Sequence, residues 1–170
     1  MTVTVVIASA AGGDFLFRCL DSVRDQAARA GAAIIVVDRV GGAHRTRLAQ
    51  AYPQVDIVPA PTTHRATVPE MRRIGVEHAH TALVAILEEH CVAPPQWLET
   101  IEQAFREDDA AIGGPILADR FTRLRDWVVY FSEYHGFMPP WPDGPRLALN
   151  GANITYDLSL IHISEPTRPY

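Results

Sequence analysis

Lysine is missing altogether. All 15 cationic side chains are arginines, set against 20 acidic residues for a net charge of −5. The arginines are scattered rather than gathered in a stripe, which argues against non-specific nucleic-acid binding. Cysteine is scarce too, with only Cys19 and Cys91, far apart and not in a CxxC pair. That usage fits free thiols in a reducing cytoplasm better than a disulfide framework. No apolar run is long enough to span a bilayer. The opening "MTVTVVIASAAGG" lacks the basic flank and long apolar core of a signal peptide. The expectation is a soluble cytoplasmic chain. Four motifs are also absent: GxxxxGK[ST], GxGxxG after the first strand, GxSxG and HExxH. Their absence removes several common α/β enzymes.

What remains is globular: 170 residues, 48% hydrophobic and 21% charged, enough for one domain with a real core. Short β-branched runs alternate with amphipathic stretches. "TVTVVIAS" (Thr2–Ser9), "AAIIVVD" ending at Asp38, "QVDIVPA", "TALVAIL" ending at Glu88 and "AAIGGPI" read as strands. "DFLFRCLDSVRDQAARA" places Phe15, Leu16, Cys19, Leu20 and Val23 on one helical face, with Asp14 as its cap and Gly31 as its stop. A short helix follows "GGAH", another spans Pro69–His80, and a third opens at "PPQW". This alternation predicts an α/β fold with a mostly parallel sheet flanked by helices. After Arg120 the chain turns aromatic and proline-rich. "LRDWVVYF" reads equally as an ordinary core helix or as the wall of a cleft.

Ligands of open α/β sheets bind beyond the carboxyl ends of the strands. The groups to inspect are therefore Ala8 and Ser9, Asp38, and Glu88, Glu89 and His90. A carboxylate at Asp38 can accept hydrogen bonds from a base or ribose, or it can simply cap the next turn. On an extended segment Glu88 and His90 point one way and Glu89 the other. A carboxylate and an imidazole on one face can hold a divalent cation with positions open to phosphate oxygens. The plainer alternative is a solvated acidic turn with the histidine packed on Trp97.

In order along the chain, "VTVVIAS", "FLFRCLDSVRDQ", "IIVVD", "MRRIGVEHA", "LVAILEEHCVAPPQWLETI" and "AIGGPI" resemble the successive motifs of family 2 glycosyltransferases of the GT-A fold. The similarity runs from Thr2 to about Asp157, and "EEH" occupies the place of that family's DxD. It resembles a subgroup carrying Glu-Glu-His there. The resemblance implies transfer of a sugar from a UDP- or GDP-linked donor to a glycan or lipid-linked acceptor. Envelope polysaccharide or glycolipid synthesis, and peripheral association with the inner face of a membrane, would fit. Ala8, Ser9 and Asp38 would border the nucleotide, Arg72 would lie near it or steady its acids, and Glu88 and Glu89 would complete the donor site. His90, with Glu88, would hold the metal. A histidine ligand favours Mn²⁺ over Mg²⁺.

Arg39, Arg73 and His90 depart from the family pattern, standing where an acid, an asparagine and an aspartate are usual. In inverting members the general base is a carboxylate farther along the chain. Asp119, Asp126 and Glu133 do not sit in its expected context, so it is expected beyond Asp157. The stretch Leu158–Arg168, "LSLIHISEPTR", resembles the in-frame translation of a transposon-type sequencing adapter. The expectation is a glycosyltransferase domain over residues 1–157, C-terminally truncated, with 158–170 as a non-native tail.

Overall fold

A computed structural model describes residues 2–106, 108–119 and 121–161. The greater part of the tail, from residue 162 on, lies outside them. The chain alternates β1 (Val3–Ser9), α1 (Asp14–Ala30), β2 (Ala33–Asp38), α2 (Gly42–Ala51), β3 (Asp56–Pro59), α3 (Val68–Glu77), β4 (Leu83–Glu88), α4 (Trp97–Ala104) and β5 (Ala111–Gly113). Then come α5 (Leu124–Tyr134), a 3₁₀ turn at His135–Phe137, β6 (Asn153–Asp157) and a single turn, α6 (Leu158–Ile161). The strands form one sheet in the order β3-β2-β1-β4-β6-β5.

β1, β2, β3 and β4 are parallel, and β6 runs antiparallel to both β4 and β5. The mostly parallel α/β sheet expected from the sequence is therefore present. The sequence expectations include no strand at "NITYD", which forms β6.

Every residue of β1 is buried, because helices cover both faces of the sheet. Val3, Val5 and Ile7 pack with Leu16, Leu20 and Val23 of α1 and with Leu98 and Ile101 of α4. Val6 and Ala8 face the other way, toward Met71 of α3 and Ile154 of β6. The α3 contact requires Gly75, since a Cβ there would come within 2.3 Å of Val6 Cγ1.

Helix ends deviate from expectation in small ways. Asp14 lies in the first turn of α1, and the cap is Gly13, which offers no side chain. α3 begins with a capping box between Thr67 and Glu70, with Pro69 in its first turn. α4 starts at Trp97, after the prolines rather than at them. Cys19 and Cys91 are both free thiols. No helix among the described residues is long and apolar enough to cross a membrane.

Candidate functional site

The register of the three central strands sets the site. Ser9 lies beside Asp38, and Ala8 lies beside Glu88. Two acids therefore flank the carboxyl end of β1. Ala8 and Ser9 turn their side chains into the core, at 7% and 0% exposure, so only their backbone could border a ligand. Ser9 Oγ is buried without a hydrogen-bond partner among the described residues, as is His44 Nε2 on α2.

Asp38 is fully buried. Its Oδ1 accepts from Val40 N at 3.0 Å, and its Oδ2 accepts from Gly41 N at 3.0 Å and Arg45 Nε at 2.7 Å. The carboxylate thus shapes the β2–α2 loop, which is the turn-capping alternative considered from sequence. Its neighbour Arg39 spans two loops, donating to Ala10 O at 2.9 Å and to Ala66 O. A residue that departs from the family pattern here ties the β1–α1 loop to the segment before α3.

The Glu-Glu-His turn does not keep the alternation of an extended strand, because β4 ends at Glu88 and Glu89 and His90 form a turn. The three side chains take different partners. Glu88 Oε1 accepts from Arg72 Nη2 at 3.0 Å, and Oε2 accepts from the Tyr134 hydroxyl at 3.1 Å. Glu89 is 4% exposed and accepts from three consecutive backbone N–H groups, those of Ala10, Ala11 and Gly12. His90 is exposed and lies against Phe15, ring centroids 5.0 Å apart. It does not pack on Trp97, whose Nε1 donates instead to Asn153 Oδ1 at 2.9 Å.

Among the described residues no three His, Cys, Asp or Glu side chains converge as a metal site. The donor set does not fit a divalent cation held by Glu88 and His90. Glu88 is already neutralised by a guanidinium, which would repel a second cation. Arg72 itself is wedged against the backbone of Gly151, where an added Cβ would lie 2.8 Å from Nη1.

Burial pushes the Tyr134 hydroxyl well above the ordinary phenol range, and the Glu88 charge adds to the shift. Burial also raises the Cys91 thiol to about 11, with Glu88 contributing. Cys19, whose Sγ lies 3.5 Å from Glu88 O, is raised further still, mainly by burial.

Tyr134 was missed by the sequence reading. Its only signal was its place at the end of the aromatic stripe in "DWVVYFSEY". Arg45 and Gly151 carried no signal at all.

Residues 4–150 match the sequence profile of Glycosyl transferase family 2. The chain belongs to that family. No curated protein matches it. Among solved structures, the mannosyltransferase PcManGT from Pyrobaculum calidifontis, in complex with GDP-Man and Mn²⁺, superposes with a TM-score of 0.63 at 16% identity. That match covers 95% of this chain and 46% of the other. Glucosyl-3-phosphoglycerate synthase from Mycobacterium tuberculosis, with Mn²⁺, UDP and glucosyl-3-phosphoglycerate, gives 0.60 at 12% identity, covering 93% and 57%. S. aureus TarS in complex with UDP-GlcNAc gives 0.62 at 12% identity, covering 96% and 47%. These glycosyltransferase structures share the GT-A fold, and this chain spans about half the length of each.

Proposed function

We propose that this domain moves a sugar from a nucleotide-diphosphate sugar, UDP- or GDP-linked, to an acceptor hydroxyl. The observation that carries the reading is the register. In a family 2 sheet, Ser9, Asp38 and Glu88 end three adjacent parallel strands at the edge where α/β sheets bind ligands. In such a transfer the acceptor oxygen bonds to the anomeric carbon. The bond from that carbon to the phosphate oxygen breaks, the nucleoside diphosphate leaves, and the acceptor proton passes to a base. None of the residues described above is assigned as that base.

The roles divide by element in this reading. The loops after β1 and β2 receive the nucleotide through backbone groups, with Ala8, Ser9 and Asp38 beneath them. Glu88, steadied by Arg72 and Tyr134, offers its remaining lone pairs to a ribose or sugar hydroxyl. His90 is open to solvent and is the one member of its turn free to meet a diphosphate. The divalent cation implied by the resemblance, Mn²⁺ ahead of Mg²⁺, would reach the site only through His90 and the donor's own oxygens. In this reading residues 1–157 are an incomplete transferase domain whose base lies beyond Asp157, with 158–170 outside it. Glycan or lipid-linked acceptors, envelope synthesis and a place at the inner membrane face belong to this reading on family analogy alone.

A second reading, a nucleotide-sugar-binding relative that transfers nothing, is favoured by one observation. Every carboxylate oxygen of Asp38, Glu88 and Glu89 already accepts an internal hydrogen bond. Calorimetric titration of the full chain with UDP and GDP, with and without Mn²⁺, tests both readings. Binding of either nucleotide is expected, and binding of neither defeats both. Release of UDP or GDP from a bound sugar donor then separates transferase from binding protein.

A further inference from the structure

The β1–α1 loop has little of its own to hold it. Ala10, Ala11, Gly12 and Gly13 carry almost no side chain, and Gly12 and Gly13 sit at φ of 69° and 80°, where only glycine is comfortable. The cap of α1 contributes no side-chain hydrogen bond. One residue 77 to 79 positions away supplies the missing order. Glu89 Oε1 accepts from Ala10 N at 3.1 Å and Ala11 N at 2.8 Å, and Oε2 accepts from Gly12 N at 3.1 Å. From the other side, Gly12 abuts α2 and its loop: a Cβ there would meet Val40 Cγ2 at 3.0 Å and the His44 ring at 3.2 Å. The loop is clamped between a buried carboxylate and α2.

Hydrogen bonds to an ionised acceptor are stronger than neutral ones, and a buried N–H left without its acceptor is costly. Glu89 therefore cannot turn outward to a metal or a nucleotide without orphaning up to three amides. Replacement by glutamine, nearly the same shape, would present an NH₂ group to one side of the clamp, so at least one N–H would face another donor.

We infer that Glu89 is a positioning residue that holds the β1–α1 loop in the shape that receives the nucleoside diphosphate, independently of any divalent cation. The inference rests on the donor-binding reading proposed above. The middle acid of the Glu-Glu-His turn then acts through the loop rather than on the ligand. The turn serves three separate ends: Glu88 toward Arg72 and Tyr134, Glu89 toward the loop, and His90 toward solvent.

Two measurements on the full chain test this. In the wild type, amide hydrogen exchange at Ala10, Ala11 and Gly12 should be slow and unchanged by Mn²⁺ alone. Acceleration by Mn²⁺ would mean that the ion draws Glu89 out of the clamp, and would overturn the inference. In Glu89→Gln the same amides should exchange faster. UDP or GDP should bind about tenfold more weakly, by the same factor with Mn²⁺ or with chelator. An affinity loss seen only with Mn²⁺ makes Glu89 a metal ligand and overturns it. A lower melting temperature with unchanged nucleotide affinity makes Glu89 merely structural, and also overturns it. Should Glu89→Gln not fold, Glu89→Asp keeps the charge and retracts it by one methylene. It should show the same metal-independent weakening to a smaller degree, and normal affinity there counts against the clamp. A wild type that binds neither nucleotide defeats the donor reading and the inference together. A wild type that binds, with a variant that binds equally well, defeats the inference alone.

Discussion

Residues 3–113 and residues 114–152 are built by different means. The first stretch holds itself together by apolar burial: Leu16, Leu20, Val23, Leu48, Met71, Leu83 and Leu98 are all at 1% exposure or less. The second turns its apolar groups outward. Along α5, Leu124, Trp127, Val128 and Phe131 stand at helical spacing on one face, and all four are exposed, Leu124 at 80%. What fastens this helix is one buried ring and a few polar anchors. The Tyr130 hydroxyl donates to Ile116 O at 2.7 Å and that of Tyr134 reaches Glu88, while in the segment before the helix Arg18 pairs with Asp119. Tyr130 also gathers Phe121, Trp127, Phe131 and Tyr134 around it, ring centroids 5.7 to 6.3 Å apart. Burial thus sets the frame of the carboxyl edge of the sheet, and directional bonds attach the segment beside it.

The sharpest way to test that contrast is to empty the first region. Leu20→Ala, in a fully buried position on α1, should cost about 2–5 kcal/mol, measured by denaturant unfolding. Gly75→Ala tests the α3 contact from the opposite direction. The new methyl would have to displace Val6, so a loss of about 1–3 kcal/mol is expected. If either variant melts like the wild type, the packed frame is not what carries stability.

The same contrast explains what could be read from the sequence. β1, β2, β4 and α1 were legible because a doubly covered parallel strand is an uninterrupted apolar run and α1 has a regular apolar stripe. β6 was not, because its polar–apolar alternation from Asn153 to Asp157 is only five residues long and follows an irregular, proline-rich segment. Its place is fixed by pairing with Leu83–Leu87, some 70 residues earlier in the chain. α5 has the periodicity of a core helix, yet Tyr130 alone is buried in it. Periodicity reports that a helix has an apolar face, not which way it turns. Ser9, Asp38 and Glu88 could be placed at the strand ends from sequence, but the partners that occupy the two acids could not. Arg72, Tyr134 and Arg45 come from other elements. Strand alternation was the wrong guide to Glu89 and His90, since β4 stops one residue before them.

The two regions meet at Glu88, so the next predictions address that seam. Tyr134→Phe removes one donor to a half-buried carboxylate and should cost about 1–2 kcal/mol. It should also free α5 locally, visible as faster amide exchange from Leu124 to Tyr134 with β1 unchanged. Alkaline pH should loosen the same seam. The folded values of Tyr134 and Cys91 lie above their ordinary 10.0 and 9.0, so the folded state holds their protons more tightly than the unfolded chain does. That stabilisation is complete below about pH 9 and is lost as pH rises, through about 11 for Cys91. Melting temperature should therefore fall from pH 9 upward, and Cys91→Ser should flatten the first part of the fall. A flat profile to pH 11 would place these groups in a less buried setting than the structure gives them.

The smallest effect is expected where a hydrophobic residue would ordinarily matter most. Leu124 opens α5 at 80% exposure and belongs to neither core cluster. Little of its apolar area leaves water on folding, so little is lost when it becomes polar. Leu124→Ser should change unfolding free energy by no more than about 0.5 kcal/mol in either direction. Leu20→Ala, a change of similar kind on α1, should cost several times as much. A large loss at Leu124 would mean that the outward face of α5 is covered in solution, and the contrast between a buried frame and an anchored helix would then fail at its plainest point.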